Sequence, residues 1–201
     1  MKAGGLPITW ESIQPHRTRT RLREPLLPQL VERLRKAERP LRYVGNGMRE
    51  IGKIEPSIIM FPGEGTKEGN QKRLEVCRRI ITADTLAMRL VNALGIPVVT
   101  SWNAADLVPN DHPLWIGRPG TYGQRGANFA LQSCDFLLCV GARMSIPQTG
   151  YDLGTFAPKA WKCAVDVDKA ELIKLEKCFD MWINADAGSF TEDFLHELEA
   201  K

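Results

Sequence analysis

Leu26, Leu30, Val31 and Leu34 recur at helical spacing, which predicts a short amphipathic helix stopped by Pro40. The period then shortens. Residues 41–44 read as a strand running straight into the turn Gly45-Asn46-Gly47. A helical pattern resumes from Lys72: Leu74, Cys77, Ile80 and Ile81 share one face, and Leu86, Leu90, Val91 and Leu94 form a second stripe closed by Gly95. Thr82-Ala83-Asp84 reads as the break and cap between the two. Ile58, Ile59, Met60 and Phe61 fit a short buried strand, while the glycines and prolines around them fit a loop.

Residues 96–100 follow one another without polar alternation, as in a strand buried on both faces. The same pattern returns at 136–140, 161–167 and 181–184, with helices expected over 124–133, 169–176 and 189–199. Asp168 is placed to cap the second of these helices and Ser189 the third. Strand, loop and helix repeat in an order that selects an α/β layer with a mostly parallel sheet. Val44, Val98, Leu138 and Val165 are expected in its core. Two stretches, 101–122 and 142–158, read as long loops, and irregular connections above about 12–15 residues are usually built for a purpose.

The chain has 201 residues, enough for one substantial core, so residues 29–201 read as a single domain preceded by an extended basic arm or linker over 1–28. Between His16 and Arg39 there are eight Lys or Arg against three Glu, yet no aromatic side chain is interleaved with them, which argues against nucleic-acid binding. The five cysteines show no CxxC spacing, and Cys139 and Cys163 sit in apolar runs as small hydrophobes suited to a reducing, cytoplasmic setting. His16, His112 and His196 form no metal-ligand pattern. No apolar stretch reaches the length of a membrane span, and the N-terminus lacks a signal-peptide core.

The candidate chemistry gathers where strands end. Gly45-Asn46-Gly47, Ser101-Trp102-Asn103, Gly141-Ala142-Arg143, Asp166-Val167-Asp168 and Asp186 all leave carboxyl ends, where ligands of parallel sheets bind. Glycines would admit a pyrophosphate, Arg143 offers a guanidinium fork, and a strand-end carboxylate can accept from ribose hydroxyls. The third glycine of a dinucleotide fingerprint is absent, and Met48-Arg49-Glu50 stands in its place. Plain turns and helix caps account for the same residues. Gly63-Glu64-Gly65-Thr66-Lys67-Glu68-Gly69 superficially resembles a phosphate loop but lacks its Gly-Lys-Ser/Thr ending, and no Gly-x-Ser-x-Gly elbow occurs. His112, between Asp111 and Pro113, reads as a loop residue rather than a general base. Trp102, Trp115, Trp161 and Trp182 read as core or interface. No catalytic residue and no metal ligand is expected.

The second half carries a family resemblance. Gly95-Ile96-Pro97-Val98-Val99-Thr100, Asp111-His112-Pro113-Leu114 with Gly117 and Gly120, Ala127-Asn128-Phe129-Ala130, Val140-Gly141-Ala142-Arg143, Thr149-Gly150, Phe156-Ala157-Pro158, Val165-Asp166-Val167-Asp168-Lys169-Ala170-Glu171 and Ala185-Asp186-Ala187 stand in the order seen in a known domain. The chain resembles the middle domain of thiamine-diphosphate-dependent enzymes of the acetolactate synthase type. The resemblance implies a three-layer, Rossmann-like parallel sheet of about five or six strands with helices on both faces. It implies that thiamine diphosphate and magnesium belong to flanking domains of a full-length enzyme, so that this domain is not catalytic alone. In relatives that hold a nucleotide here, FAD or ADP contacts correspond to Gly45, Asn46, Gly47, Arg143, Asp166 and Asp186; other relatives use the fold as a spacer. A homo-oligomer, or docking on companion thiamine-diphosphate enzyme domains as a regulatory or assembly module, is the expected partnership. The chain departs from the family pattern by an inserted segment around 54–82.

Overall fold

The computed structural model describes residues 26–48 and 85–200. The expected arm before Leu26, the insertion around 54–82, the strand at 58–61, the helix from Lys72 and the glycine-rich stretch 63–69 lie outside the described residues.

Six parallel strands form one sheet: β1 (Pro40–Val44), β2 (Val98–Thr100), β3 (Trp115–Gly117), β4 (Phe136–Val140), β5 (Trp161–Asp166) and β6 (Met181–Asn184). Their order is β3-β2-β1-β4-β5-β6. The chain therefore builds outward in one direction from β1 and then in the other, and the reversal falls between β1 and β4. Every strand pair is parallel, as continuous apolar strands require when both faces are covered.

Helices α1 (Leu26–Lys36), α2 (Leu86–Leu94) and α6 (Ala187–Glu199) cover one face; α3 (Arg125–Ser133) and the short α5 (Lys169–Ile173) cover the other. The strand residues divide by the period-two alternation of side chains. Val44, Val98, Leu138 and Val165, all buried as expected, face α1, α2 and α6, whereas Tyr43, Val99, Leu137 and Ala164 face α3 and α5. Cys139 and Cys163 are buried on opposite faces, which places their thiols on two different sides of the sheet.

The structure moves several expected boundaries. The first helix begins at Leu26, the first residue of the expected apolar stripe, and ends at Lys36. The strand β3, Trp115–Gly117, falls in what reads from sequence as loop, because a three-residue strand between Pro113 and Pro119 is too short to show a period. The long loop 142–158 likewise contains a one-turn helix, α4 (Ile146–Thr149). The α5 helix ends at Ile173 rather than at 176. The cap of α2 is Thr85, whose side chain accepts the Met88 N–H, rather than a residue of 82–84. The cap of α6 is Asp186, with Ser189 inside the first turn.

One polar side chain crosses the apolar layer. Arg42, in the central strand, is fully buried, and its guanidinium donates to the carbonyls of Leu90 (2.6 Å), Val91 (3.3 Å) and Ile96 (2.6 Å). These carbonyls belong to the last turn of α2 and the start of the next connection, and Val91 O also accepts the Gly95 N–H, so a fixed cation adds a second donor at the negative end of the helix. Burial lowers the Arg42 pKa to about 9.

Candidate functional site

The carboxyl end of the sheet is laced together by backbone. The Ser101 N–H donates to Val44 O (2.9 Å), the Gly45 N–H to Val140 O (3.0 Å), the Gly141 N–H to Val165 O (2.9 Å) and the Ala185 N–H to Asp166 O (3.1 Å). The last carbonyls of β1, β4 and β5 are thus claimed by the loop of a neighbouring strand.

At the reversal point the two glycine turns touch. The 3-10 turn Asn46–Met48 follows β1, and the Gly47 N–H donates to Gly141 O at 2.8 Å while the Met48 N–H returns to Gly45 O at 3.2 Å. A Cβ on Gly45 would lie 2.1 Å from Gly141 O and 2.2 Å from the Cα of Ala142. One on Gly47 would lie 2.8 Å from the Cα of Gly141, and one on Gly141 would lie 2.7 Å from the Cα of Gly47. Gly141 also has φ +58°, a left-handed conformation open to glycine at little cost. Three glycines are therefore required for the loops to meet. The N–H groups of Gly45, Gly47 and Met48, which a phosphate at this turn would need, are already donated within the joint.

The remaining sequence-predicted residues line the β4, β5 and β6 ends. Arg143 follows the joint directly, and its Nε pairs with Glu171 Oε1 at 3.0 Å, although the arginine side chain stays 77% exposed. Glu171 also pairs with Lys174, which makes it the shared anion of two cations. Asp166 ends β5; its Oδ1 accepts the Asp168 N–H at 2.9 Å and its main-chain carbonyl accepts from the Asn184 amide at 3.1 Å. Burial is the main force raising the Asp166 pKa, helped by Glu171 and Asp168 and opposed by the Asp168 N–H and Lys174. Asp168 caps α5 by accepting the Ala170 N–H at 2.8 Å.

Asp186 is turned onto its own helix. Its Oδ1 accepts the N–H of Ser189 at 3.0 Å and the hydroxyl at 3.3 Å. The structure thus brings Gly45 and Gly47 against Gly141, sets Arg143 beside the β5–α5 turn, and gives Asp166 and Asp186 work in their own turns. Gly141 belongs to the candidate loop Gly141-Ala142-Arg143 read from sequence, but not to the nucleotide contacts that the family resemblance implies; its contact with Gly47 is what sequence reasoning did not foresee. His112 holds a turn, its Nδ1 accepting the Leu114 N–H at 3.2 Å. Among the described residues no group of three or more His, Cys, Asp and Glu is arranged to hold a metal ion. No described helix is long and apolar enough to cross a membrane.

Residues 77–197 match the family model for the thiamine pyrophosphate enzyme, central domain. The chain is 38% identical over 113 residues to a probable acetolactate synthase large subunit of Methanocaldococcus jannaschii, covering 56% of this chain and 19% of that protein. It is 30% identical over 149 residues to the acetolactate synthase isozyme 2 large subunit of Escherichia coli, covering 74% and 22% respectively. Over 83 residues it is 42% identical to the acetolactate synthase large subunit of Corynebacterium glutamicum, covering 41% and 13%. The matched stretch thus spans about a fifth or less of these curated relatives. Fold, strand order and matched residues agree: the chain belongs to the central-domain family of thiamine pyrophosphate enzymes.

Proposed function

We propose that this chain acts as a structural central domain of an acetolactate synthase-like enzyme, holding other domains in register without carrying the reaction itself. The observation behind this reading is the glycine joint. The turn that would cradle a pyrophosphate donates the N–H groups of Gly45, Gly47 and Met48 to main-chain carbonyls instead, and its missing side chains admit backbone rather than a ligand. Asp186 serves as a helix cap and Asp166 as a turn residue. These residues do not fit a nucleotide phosphate at the β1 turn. In this reading residues 29–201 work as one unit, 1–28 is its linker, and the segment around 54–82 is an insertion. We assign it to the cytoplasm, in keeping with the unpaired thiols of Cys134, Cys139, Cys163 and Cys178.

Thiamine diphosphate and magnesium would be held by partner domains, either in the same assembly or as separately encoded companions. A docking role is favoured by the placement of exposed apolar side chains. Phe129 on α3, Ile173 on α5 and Trp182 on β6 are exposed, while α1, α2 and α6 expose no comparably large apolar side chain. A nucleotide-binding reading keeps one observation in its favour, the solvent-exposed guanidinium of Arg143 at the β4 end. FAD or ADP would then be held from that side, with Asp166 toward the ribose.

Isothermal calorimetry of the whole chain with ADP, with FAD, and with thiamine diphosphate plus magnesium tests the proposal, together with a pyruvate-consumption assay. The expected result is no saturable heat at sub-millimolar concentration and no turnover. Micromolar FAD or ADP binding abolished by Arg143→Ala would replace this reading with the nucleotide one.

A further inference from the structure

Lys162 is a lysine inside the sheet. It is the second residue of β5, on the α3 side, and is 9% exposed. Its Nζ donates to two main-chain carbonyls, Ala157 O at 3.2 Å and Ala160 O at 3.3 Å. Its main chain is bound as well: the Lys162 N–H donates to Asp180 Oδ2 (2.7 Å), and Asp180 returns its own N–H to Lys162 O (2.9 Å). One residue thereby fixes both the turn that enters β5 and the start of β6.

The turn it holds is strained. Ala157 has φ +45°, the one non-glycine residue with positive φ among those described, and it precedes Pro158. A Cβ disfavours that conformation, and a following proline restricts the residue further. Nevertheless Ala157 is fully buried, and beside it Phe156 is buried and stacked on Phe179 with ring centroids 6.4 Å apart. Phe156, Ala157 and Ala160 share one apolar layer with Cys134 and Leu137. The Lys162 charge also reaches Cys134, where it opposes the burial that pushes that thiol up to about 11. A conformation that costs free energy persists only where its surroundings over-determine it, and the ammonium is the polar group that does so here.

We propose that Lys162 is the pin of a local latch: its ammonium holds the strap 156–160 closed over the α3-side core, and the strap opens as a unit when the pin is lost, uncovering Cys134. The latch is independent of the glycine joint, which lies at the opposite end of the strands.

Thiol labelling of the whole chain by iodoacetamide, read residue by residue by mass spectrometry, tests this. Cys163, on the other face of the sheet, is the internal control. Lys162→Met is expected to speed labelling of Cys134 about tenfold or more while leaving Cys163 unchanged, since local opening sets the rate at one site only. Ala157→Gly, which relieves the strain and removes no partner of Lys162, is expected to slow Cys134 labelling about tenfold relative to wild type, again without effect at Cys163. This second variant keeps the test open if Lys162→Met does not fold. Equal acceleration at Cys134 and Cys163 in Lys162→Met, or an unchanged Cys134 rate in Ala157→Gly, would overturn the latch.

Discussion

The Gly47 N–H donates to the Gly141 carbonyl across 2.8 Å, joining the loops after β1 and β4 where the strand order reverses. In open parallel sheets that reversal is where a crevice for ligands is expected. Here the two main chains meet at that point.

A first prediction is that side chains are refused at this joint. With backbone atoms of Gly141 and Ala142 only 2.1–2.2 Å from where its Cβ would sit, Gly45→Ala forces the loops apart. Overpacking of this kind costs about 1–3 kcal/mol, so the urea midpoint should fall clearly. Gly95→Ala, where nothing lies within 4 Å, isolates the cost of a left-handed φ (+60°) alone and should destabilise less, by about 1–2 kcal/mol. Equal losses at the two sites would mean that backbone conformation rather than contact governs the joint.

Arg42 gives a second. Replacing it by Met removes the guanidinium's bonds to the carbonyls of Leu90, Val91 and Ile96 in a buried place, of which Val91 O keeps the Gly95 N–H. A buried carbonyl left unsatisfied costs about 1–3 kcal/mol, and Ile96 O is the one of the three outside the helix, so the protein should lose about 1–3 kcal/mol. Lysine, with a point charge in place of the planar fork, should recover only part. Amide exchange in α2 and at the start of β2 should accelerate before that in β5 and β6, as measured by hydrogen–deuterium exchange.

For Asp166 the sign follows from the direction of its shift. Its pKa is raised in the folded chain, chiefly by burial, so the folded state holds the proton more tightly than the unfolded one. The contribution is fully present below the unfolded aspartate value of about 4 and is lost as pH rises through the folded value. Asp166→Asn keeps an oxygen for the Asp168 N–H and removes the charge. It should therefore be the more stable protein near neutral pH, with the advantage disappearing in acid. Denaturant midpoints taken across that range check this, and an asparagine variant weaker at every pH would contradict it.

The cap at Asp186 supplies a fourth. Asp186→Ala removes the acceptor for the Ser189 N–H and should cost about 1 kcal/mol, with Asp186→Ser restoring most of it. Thermal melts distinguish the three proteins. If alanine leaves the melt unchanged, the cap reading of this carboxylate fails.

Sequence reasoning reached the layers of this fold because its signals are periodic. Val44, Val98, Leu138 and Val165 announce themselves as members of unbroken apolar strands, and all four are buried on the same face. Trp115–Gly117 has no such run, and only its pairing with β2 makes it a strand. Arg42 and Lys162 were illegible for a different reason: a buried cation is identified by the carbonyls around it, and those of Leu90 and Ile96 lie 48 and 54 residues away along the chain. The site shows the same limit. Gly45 and Gly47 look alike whether they receive a phosphate or a neighbouring loop, and their partner Gly141 lies 94 residues beyond Gly47 along the chain. Asp186 reads from sequence as a strand-end acid, and its bond to Ser189, which makes it a helix cap, shows only in the fold.

The central claim is that the glycine turns bind each other and leave no place for a nucleotide phosphate. Amide resonances of Gly45, Gly47 and Gly141 followed by NMR during titration with ADP and then FAD test it most directly. The account predicts that these three signals stay in place, and stay protected from solvent exchange, up to millimolar nucleotide. Saturable shifts of all three at micromolar ADP or FAD, with loss of the Gly47 protection, would contradict it.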